Sequence, residues 1–296
     1  MCSKQPTGNC CNTRSTLPSL TTTSTTDDDQ IRQSVREHYG GIVSEETKQT
    51  FCCNKSASGG SCFGANTSES YAAVLGYSPE ELAAVPDGAN LGLGCGNPLA
   101  FTSIKPGDTV LDLGSGAGFD AFIAARKVGP SGRVIGVDMT PEMVSKAREK
   151  AVKGGFGNVS FRLGEIEHLP VADGTVDLVI SNCVLNLSPQ KRAVLEEVFR
   201  VLRPGGQVVI SDIVTTTGEL PKEVRSSLAM YAGCISGASV VSELEGYFEE
   251  IGFVEVTISK KEGSDQLIES WKPEAQLQRF VYSAIISAKK PLKVKS

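Results

Sequence analysis

From residue 105 onward the chain alternates continuous apolar runs with helical segments, and no other feature narrows its fold as much. "DTVLDLGSG" is an apolar run that stops at glycines, and "FDAFIAARKVG" follows with the pattern of a helix. "GRVIGVDM", "VSFRLGE", "VDLVISNC" and "GGQVVISDIV" repeat the apolar run. "TPEMVSKAREKAVKGG" and "PQKRAVLEEVFRVLRPGG" supply further helices between them. Strands that are apolar along their whole length are covered on both faces, so the pattern predicts an α/β fold around a mostly parallel sheet. A helix over "SELEGYFEEIGF" and a closing pair of strands, "VEVTIS" and "FVYSAIISAKKP", complete the chain.

The part before residue 105 is of another kind. Residues 1–29 are rich in Ser, Thr and Asn and are expected to be a disordered tail. Asp27 to Asp29 start a helix through "IRQSVREHYGGIV", with Gly40 and Gly41 expected to end it. Residues 44–70, with "FCCNKSASGGSC", read as a mobile loop, and "SPEELAAVP" as a short helix capped by Ser78 with Pro79 in its first turn. This gives four stretches: a tail at 1–29, a helical segment with cysteine loops at 30–104, a ligand-binding core at 105–215, and an insertion with closing strands at 216–296.

The net charge is −5 and no basic tract stands out, which argues against nucleic acid as a partner. No apolar stretch approaches the ~20 residues of a membrane span, and the N-terminus lacks the apolar run of a secretory signal. A cytoplasmic protein is therefore expected. In that compartment nine cysteines, an odd count, do not form a structural disulfide framework. With no C-x-x-C pair and only His38 and His168, a zinc site is poorly supported.

The first strand and helix are joined by "LDLGSGAGFD". Gly114, Gly116 and Gly118 let the backbone turn tightly and approach a ligand. Asp138 ends the second strand, 24 residues after Gly114, where it can accept hydrogen bonds from a ribose diol. The spacing is G-x-G-x-G, and Phe119 stands where a dinucleotide loop has its third glycine. A turn without a phosphate-length cradle suits S-adenosylmethionine better than NAD.

"VLDLGSGAGFD", "GVDMT", "GEIEHLPVADGTVDLVISNCVLNL" and "VFRVLRPGGQVVISD" resemble the successive motifs of class I S-adenosylmethionine-dependent methyltransferases, over roughly residues 105–215. That resemblance implies a Rossmann-like, mostly parallel seven-stranded sheet with helices on both faces and a mixed C-terminal extension. It implies that Gly114, Ser115, Gly116 and Gly118 approach the methionine part of the cofactor and that Asp138 holds the ribose. By the same resemblance Met139 would pack on the adenine, Glu165 and Ile166 would edge the base, and Asn182 would lie under the sulfonium.

Cys183 in "SNCV" stands at the end of the fourth strand, where the methyl acceptor is expected, and no His, Glu or Lys with the character of a general base accompanies it in the motif. A hard oxygen nucleophile would need such a base; a soft nucleophile with a free lone pair would not. Cys95 sits between Gly94 and Gly96 in "NLGLGCGNP", and Cys234 in the small-residue turn "YAGCISGASV". Cys183 or Cys234 alone reads as well as a core thiol, whereas Cys95, on a bare and mobile glycine loop, reads least like one; together, in segments flanking the cofactor crevice, the three suit a thiophilic centre. "LGLGCGNP", "SNCVLNLSP" and "AGCISGA" resemble the cysteine motifs of arsenite S-adenosylmethionine methyltransferases, from about residue 35 to about 290. The resemblance implies that Cys95, Cys183 and Cys234 hold arsenic(III), delivered as a thiol complex such as its glutathione adduct. It implies a thiol reductant, glutathione or thioredoxin, and a role in arsenic detoxification. "FCCN" resembles the family's N-terminal cysteine segment, with either Cys52 or Cys53 as the delivering or resolving thiol. Leu93 stands where some members carry an aromatic residue. Two other readings remain open at this point: a small-molecule C- or O-methyltransferase of the quinone-biosynthesis type, and a non-catalytic protein that sequesters arsenite through its thiols.

Overall fold

The computed structural model describes residues 25–51, 68–217, 220, 234–271 and 276–292, with side chains of the first helix over 28–43. Cys2, Cys10, Cys11, Cys52, Cys53 and Cys62 lie outside the described residues, as do most of the expected tail and the stretch just before Cys234.

Eight strands form one sheet. They are β1 (Thr109–Leu113), β2 (Arg133–Asp138), β3 (Val159–Leu163), β4 (Val176–Asn182), β5 (Leu202–Thr215), β6 (Ser239–Val240), β7 (Val254–Lys260) and β8 (Tyr282–Lys289). The order is β3-β2-β1-β4-β5-β8-β7, with β6 beside β5. The seven expected strands are the seven on this path, and the two-residue β6 is an addition. β8 pairs antiparallel with β5 and with β7, so the closing strands extend the same sheet. The strand order reverses between β1 and β4, which are direct neighbours, and ligands of open α/β sheets bind at such a switch point.

Successive residues of the central strands feed two cores. Val110 and Ile180 pack on one face with helices α4 (Phe119–Val128) and α5 (Pro141–Lys153). Leu111 and Val179 pack on the other with α6 (Lys191–Val201) and α7 (Val241–Ile251). A further helix, α8 (Ser264–Trp271), lies against β8.

Three boundaries differ from the sequence expectations. Helix α1 runs Thr25–Phe51, so 25–29 belong to it rather than to the tail, and 44–51 rather than to a loop. Gly40 and Gly41 lie inside it because Gly40 faces α5: a Cβ there would sit 3.3 Å from the Glu142 carboxylate. The run "LRPGG" opens β5 instead of closing α6, because Leu202 already pairs with Val176. The short helices before the core, α2 (Ser68–Leu75) and α3 (Pro79–Ala83), include the expected Ser78 cap, a full capping box with Glu81.

Candidate active site

The C-terminal ends of β1, β4 and β5 converge at the switch point. The loop after β1 carries Gly114, Gly116 and Gly118, all at positive φ. Asp138 holds this loop: its carboxylate accepts from the backbone N–H of Gly116 at 2.9 Å and of Thr140 at 2.8 Å. Burial pushes the Asp138 carboxyl up, and those two N–H groups counter part of the effect. Gly114, Ser115, Gly116, Asp138, Met139, Ile166 and Asn182 all line one pocket. Gly118 and Glu165 do not. Gly118 begins α4 against Phe122 and Phe161, and Glu165 faces Arg32 and Arg36. Its place at the pocket is taken by Glu167, which accepts from Ser188 Oγ at 2.6 Å and Arg32 Nε at 3.4 Å.

The sequence reading missed one wall of the pocket. Arg32, Val35 and Tyr39 of α1 line it, at spacings of three and four that put them on one helical face. That stripe was readable in "IRQSVREHY". Asp112 and Asp120 were missed as well. Among the described residues, Asp112 Oδ2 and Ser115 Oγ are buried with no hydrogen-bond partner, and both belong to pocket-lining residues.

The cysteine loop is not an open one. Cys95 is 0 % exposed. Its N–H donates to Asn182 Oδ1 at 3.0 Å, and its carbonyl accepts from Ser283 Oγ at 2.8 Å. Tyr71 donates to Gly94 O at 2.9 Å, and Tyr77 reaches Gly96 O at 3.2 Å. The glycines allow this closeness, since a Cβ on Gly94 would meet the Asn182 amide at 2.9 Å. Tyr77, outside every motif, also donates to Asp120 Oδ1 at 2.6 Å, while Asn182 Nδ2 donates to Tyr77 Oη at 3.0 Å and Asp120 Oδ2 at 3.2 Å. Asn182 thus ties the cysteine loop to the cofactor pocket.

Cys95 and Cys183 are joined in a disulfide with a Cα–Cα distance of 5.9 Å. The cysteine count argued against a disulfide framework, and this is a different object: one bond inside the site, of the kind that in a reducing compartment does chemistry. The Cys234 thiol is free and donates to the Cys183 carbonyl at 2.8 Å. Cys183 and Cys234 both hold left-handed backbone, at φ 58° and 63°, which non-glycine residues rarely adopt and which concentrates at functional sites. Burial, reinforced by the charge of Asp212, pushes the Cys234 thiol well up.

Asp212 is the polar side chain that the "SNCV" motif lacked. It comes from β5, and a carboxylate oxygen lies within 4.8 Å of both Cys95 Sγ and Cys183 Sγ. Burial raises its pKa to about 7 against hydrogen bonds from Ile213 and Asn186. Burial likewise raises Asp120 to about 6. The native state therefore keeps a proton on Asp120 that the unfolded chain has already released near pH 4, so stability falls as pH rises from about 4 to about 6. Asp120→Asn should remove up to ~3 kcal/mol of that fall, at 1.36 kcal/mol per unit. Urea unfolding at pH 4.5 and 7 checks it; an unchanged pH slope means that Asp120 titrates as an ordinary carboxyl.

Residues 104–270 match the family model described as "Methyltransferase domain". The arsenite methyltransferase of Halobacterium salinarum is 51 % identical over 269 residues, covering 90 % of this chain and 68 % of that protein. The chain belongs to the arsenite methyltransferase family. Another member, the arsenite methyltransferase of Aquipseudomonas alcaligenes, is 37 % identical over 76 % of this chain, which spans 62 % of that relative's length. Among solved structures, CrArsM, an arsenic(III) S-adenosylmethionine methyltransferase from Chlamydomonas reinhardtii, superposes with a TM-score of 0.55 at 33 % identity, covering 76 % of this chain and 73 % of that one.

The pocket fits the methyl donor of such an enzyme. The bare loop at Gly114 and Gly116 leaves room for close approach, Asp138 has lone pairs left for a diol, and the unpartnered Asp112 and Ser115 oxygens can receive polar groups. No described helix is long and apolar enough to cross a membrane.

Proposed function

We propose that the protein methylates trivalent arsenic, arsenite and then methylarsenite, with S-adenosylmethionine as donor and Cys95, Cys183 and Cys234 as the arsenic ligands. The observation that carries this reading is the bonded Cys95–Cys183 pair beside the methyltransferase pocket, with the Cys234 thiol donating to the Cys183 backbone carbonyl. Cys183 belongs to both places: it lines the pocket and joins the cysteine group.

Bound S-adenosylmethionine supplies a methyl group on a sulfonium, which a soft lone pair can attack without a general base. Asp138 and the Gly114–Ala117 turn would hold it, and α1 would shield it from water through Val35 and Tyr39. Arsenic arrives as a thiol complex such as its glutathione adduct and exchanges onto the three sulfurs, each cysteine proton leaving on a released thiol. Three sulfurs form a pyramid whose apex is the arsenic lone pair, and alignment of that lone pair with the methyl is worth ~7–11 kcal/mol. Methyl transfer oxidises arsenic by two electrons. Cys95 and Cys183 return them by leaving as the disulfide, which glutathione or thioredoxin then reduces. Cys52 or Cys53 is the candidate for delivering arsenic or resolving that bond. The cellular consequence is arsenic detoxification.

The test is incubation of the reduced protein with labelled S-adenosylmethionine, arsenite and glutathione, followed by separation of arsenic species. Label in methylarsenic is expected. Label in a demethylated quinone precursor but not in arsenic would replace this reading with a quinone-type methyltransferase, and arsenic bound without label transfer would replace it with sequestration.

A further inference from the structure

Methyl transfer to arsenic moves a charge. The arsenic lone pair forms the new As–C bond, the S–C bond breaks with its electrons returning to the cofactor sulfur, and the positive charge passes from that sulfur to arsenic. The cysteine sulfurs accept no charge outright and the transfer itself releases no proton, so the question is which group faces arsenic as it becomes cationic.

The Asp212 carboxylate is in that position. It is 1 % exposed and within 4.8 Å of the Sγ atoms of Cys95 and Cys183, so an arsenic bridging those sulfurs lies beside it. It is also fixed. Oδ1 accepts from Ile213 N at 2.7 Å and Asn186 Nδ2 at 2.9 Å, and Oδ2 accepts from Asn186 N at 3.1 Å. Every one of these partners donates, which favours the anion. Asn186 is itself locked, accepting from Ser239 Oγ at 2.9 Å and donating to Ile213 O at 2.5 Å. The charged group that faces it from α6 is Lys191, and from the segment after β5 the Cys234 thiol. The other carboxylate near the loop, Asp120, is bound to Tyr77 and Asn182.

We propose that Asp212 is a catalytic residue that stabilises the positive charge arsenic acquires as it takes the methyl group. The proposal rests on the arsenic methylation described above. A preoriented charge in a dry site acts strongly and needs no reorganisation during the reaction. Neutral, sulfur-bound arsenic offers it little to attract, so its effect falls on the transition state and spares the ground state. Asp212 itself is unchanged by the step: it neither gives nor takes a proton or an electron.

The experiment is steady-state methylation of arsenite by the full-length reduced protein and by Asp212→Asn, with glutathione in excess. A fall in kcat of at least a hundredfold is expected, with the arsenite KM and the dissociation constant of S-adenosylhomocysteine each within threefold of the unmodified protein. A damaged site would move the binding constants too. If Asp212→Asn does not fold, Asn186→Ala keeps the charge and loosens its hold, and a roughly tenfold fall in kcat with unchanged KM is expected there. A kcat within threefold in either folded variant overturns the proposal, as does loss of arsenic binding in Asp212→Asn, which would make it a ligand or a structural group. An unmodified protein that transfers no methyl to arsenic overturns the functional reading and this proposal together.

Discussion

Cys183→Ser and Cys234→Ser are expected to abolish methylation of both arsenite and methylarsenite, while Cys95→Ser loses activity on arsenite and keeps most of it on methylarsenite. The reason is coordination count. Arsenite has three exchangeable positions, and methylarsenite, with one position taken by carbon, has two. Cys183 directly follows β4 beside the pocket, and the Cys234 thiol reaches its carbonyl at 2.8 Å; these two are proposed as the pair that every arsenic substrate meets. Cys95 comes from a separate loop and completes the third position. Serine does not substitute, because its hydroxyl is too hard and too weakly acidic to hold arsenic. Excess glutathione in the assay supplies the thiol that the reductive step lacks without Cys95. Each variant is assayed on both substrates. Equal loss of both activities in Cys95→Ser, or survival of either in Cys183→Ser, removes this assignment.

The parts of this molecule that were legible in the sequence are those whose cause is local. The strands of the core announce themselves because burial on both faces forces an unbroken apolar run, and the loop after β1 because its glycines sit at positive φ. Asp138 was legible because its distance from that loop is fixed by one strand–helix–strand unit. The full length of helix α1 was not legible because Gly40 and Gly41 carry a stop signal, and the neighbour of Gly40 in space, Glu142, is about a hundred residues away in the chain. Tyr77 and Asp212 were invisible for the same reason. Tyr77 draws its meaning from Asp120 and Asn182, and Asp212 from Cys95, Cys183 and Asn186, all of which are brought together by the fold alone. The burial of Cys95 was misjudged because flanking glycines read as an exposed loop. Here they let the loop backbone close on the Asn182 side chain.

The same logic gives the second large effect, at Gly114. Its φ of +63° is one that alanine tolerates at a cost of ~1–2 kcal/mol. Its Cβ would also press into Val184, whose own Cβ is 2.9 Å from that position. Val184 lines the pocket and follows Cys183 directly, so pushing it aside narrows the pocket and shifts the proposed arsenic ligand Cys183. Gly116 provides the comparison. It is also at positive φ, +51°, but a Cβ there meets only Met143 Sδ at 3.9 Å, an ordinary contact. Gly116→Ala therefore carries backbone strain without a clash against the protein, and about a tenfold loss of cofactor affinity is expected from its ~1–2 kcal/mol. Gly114→Ala carries strain and crowding together, and at least a hundredfold loss is expected. Calorimetric titration of both folded variants with S-adenosylhomocysteine measures the two losses. If they are equal, crowding at Val184 contributes nothing.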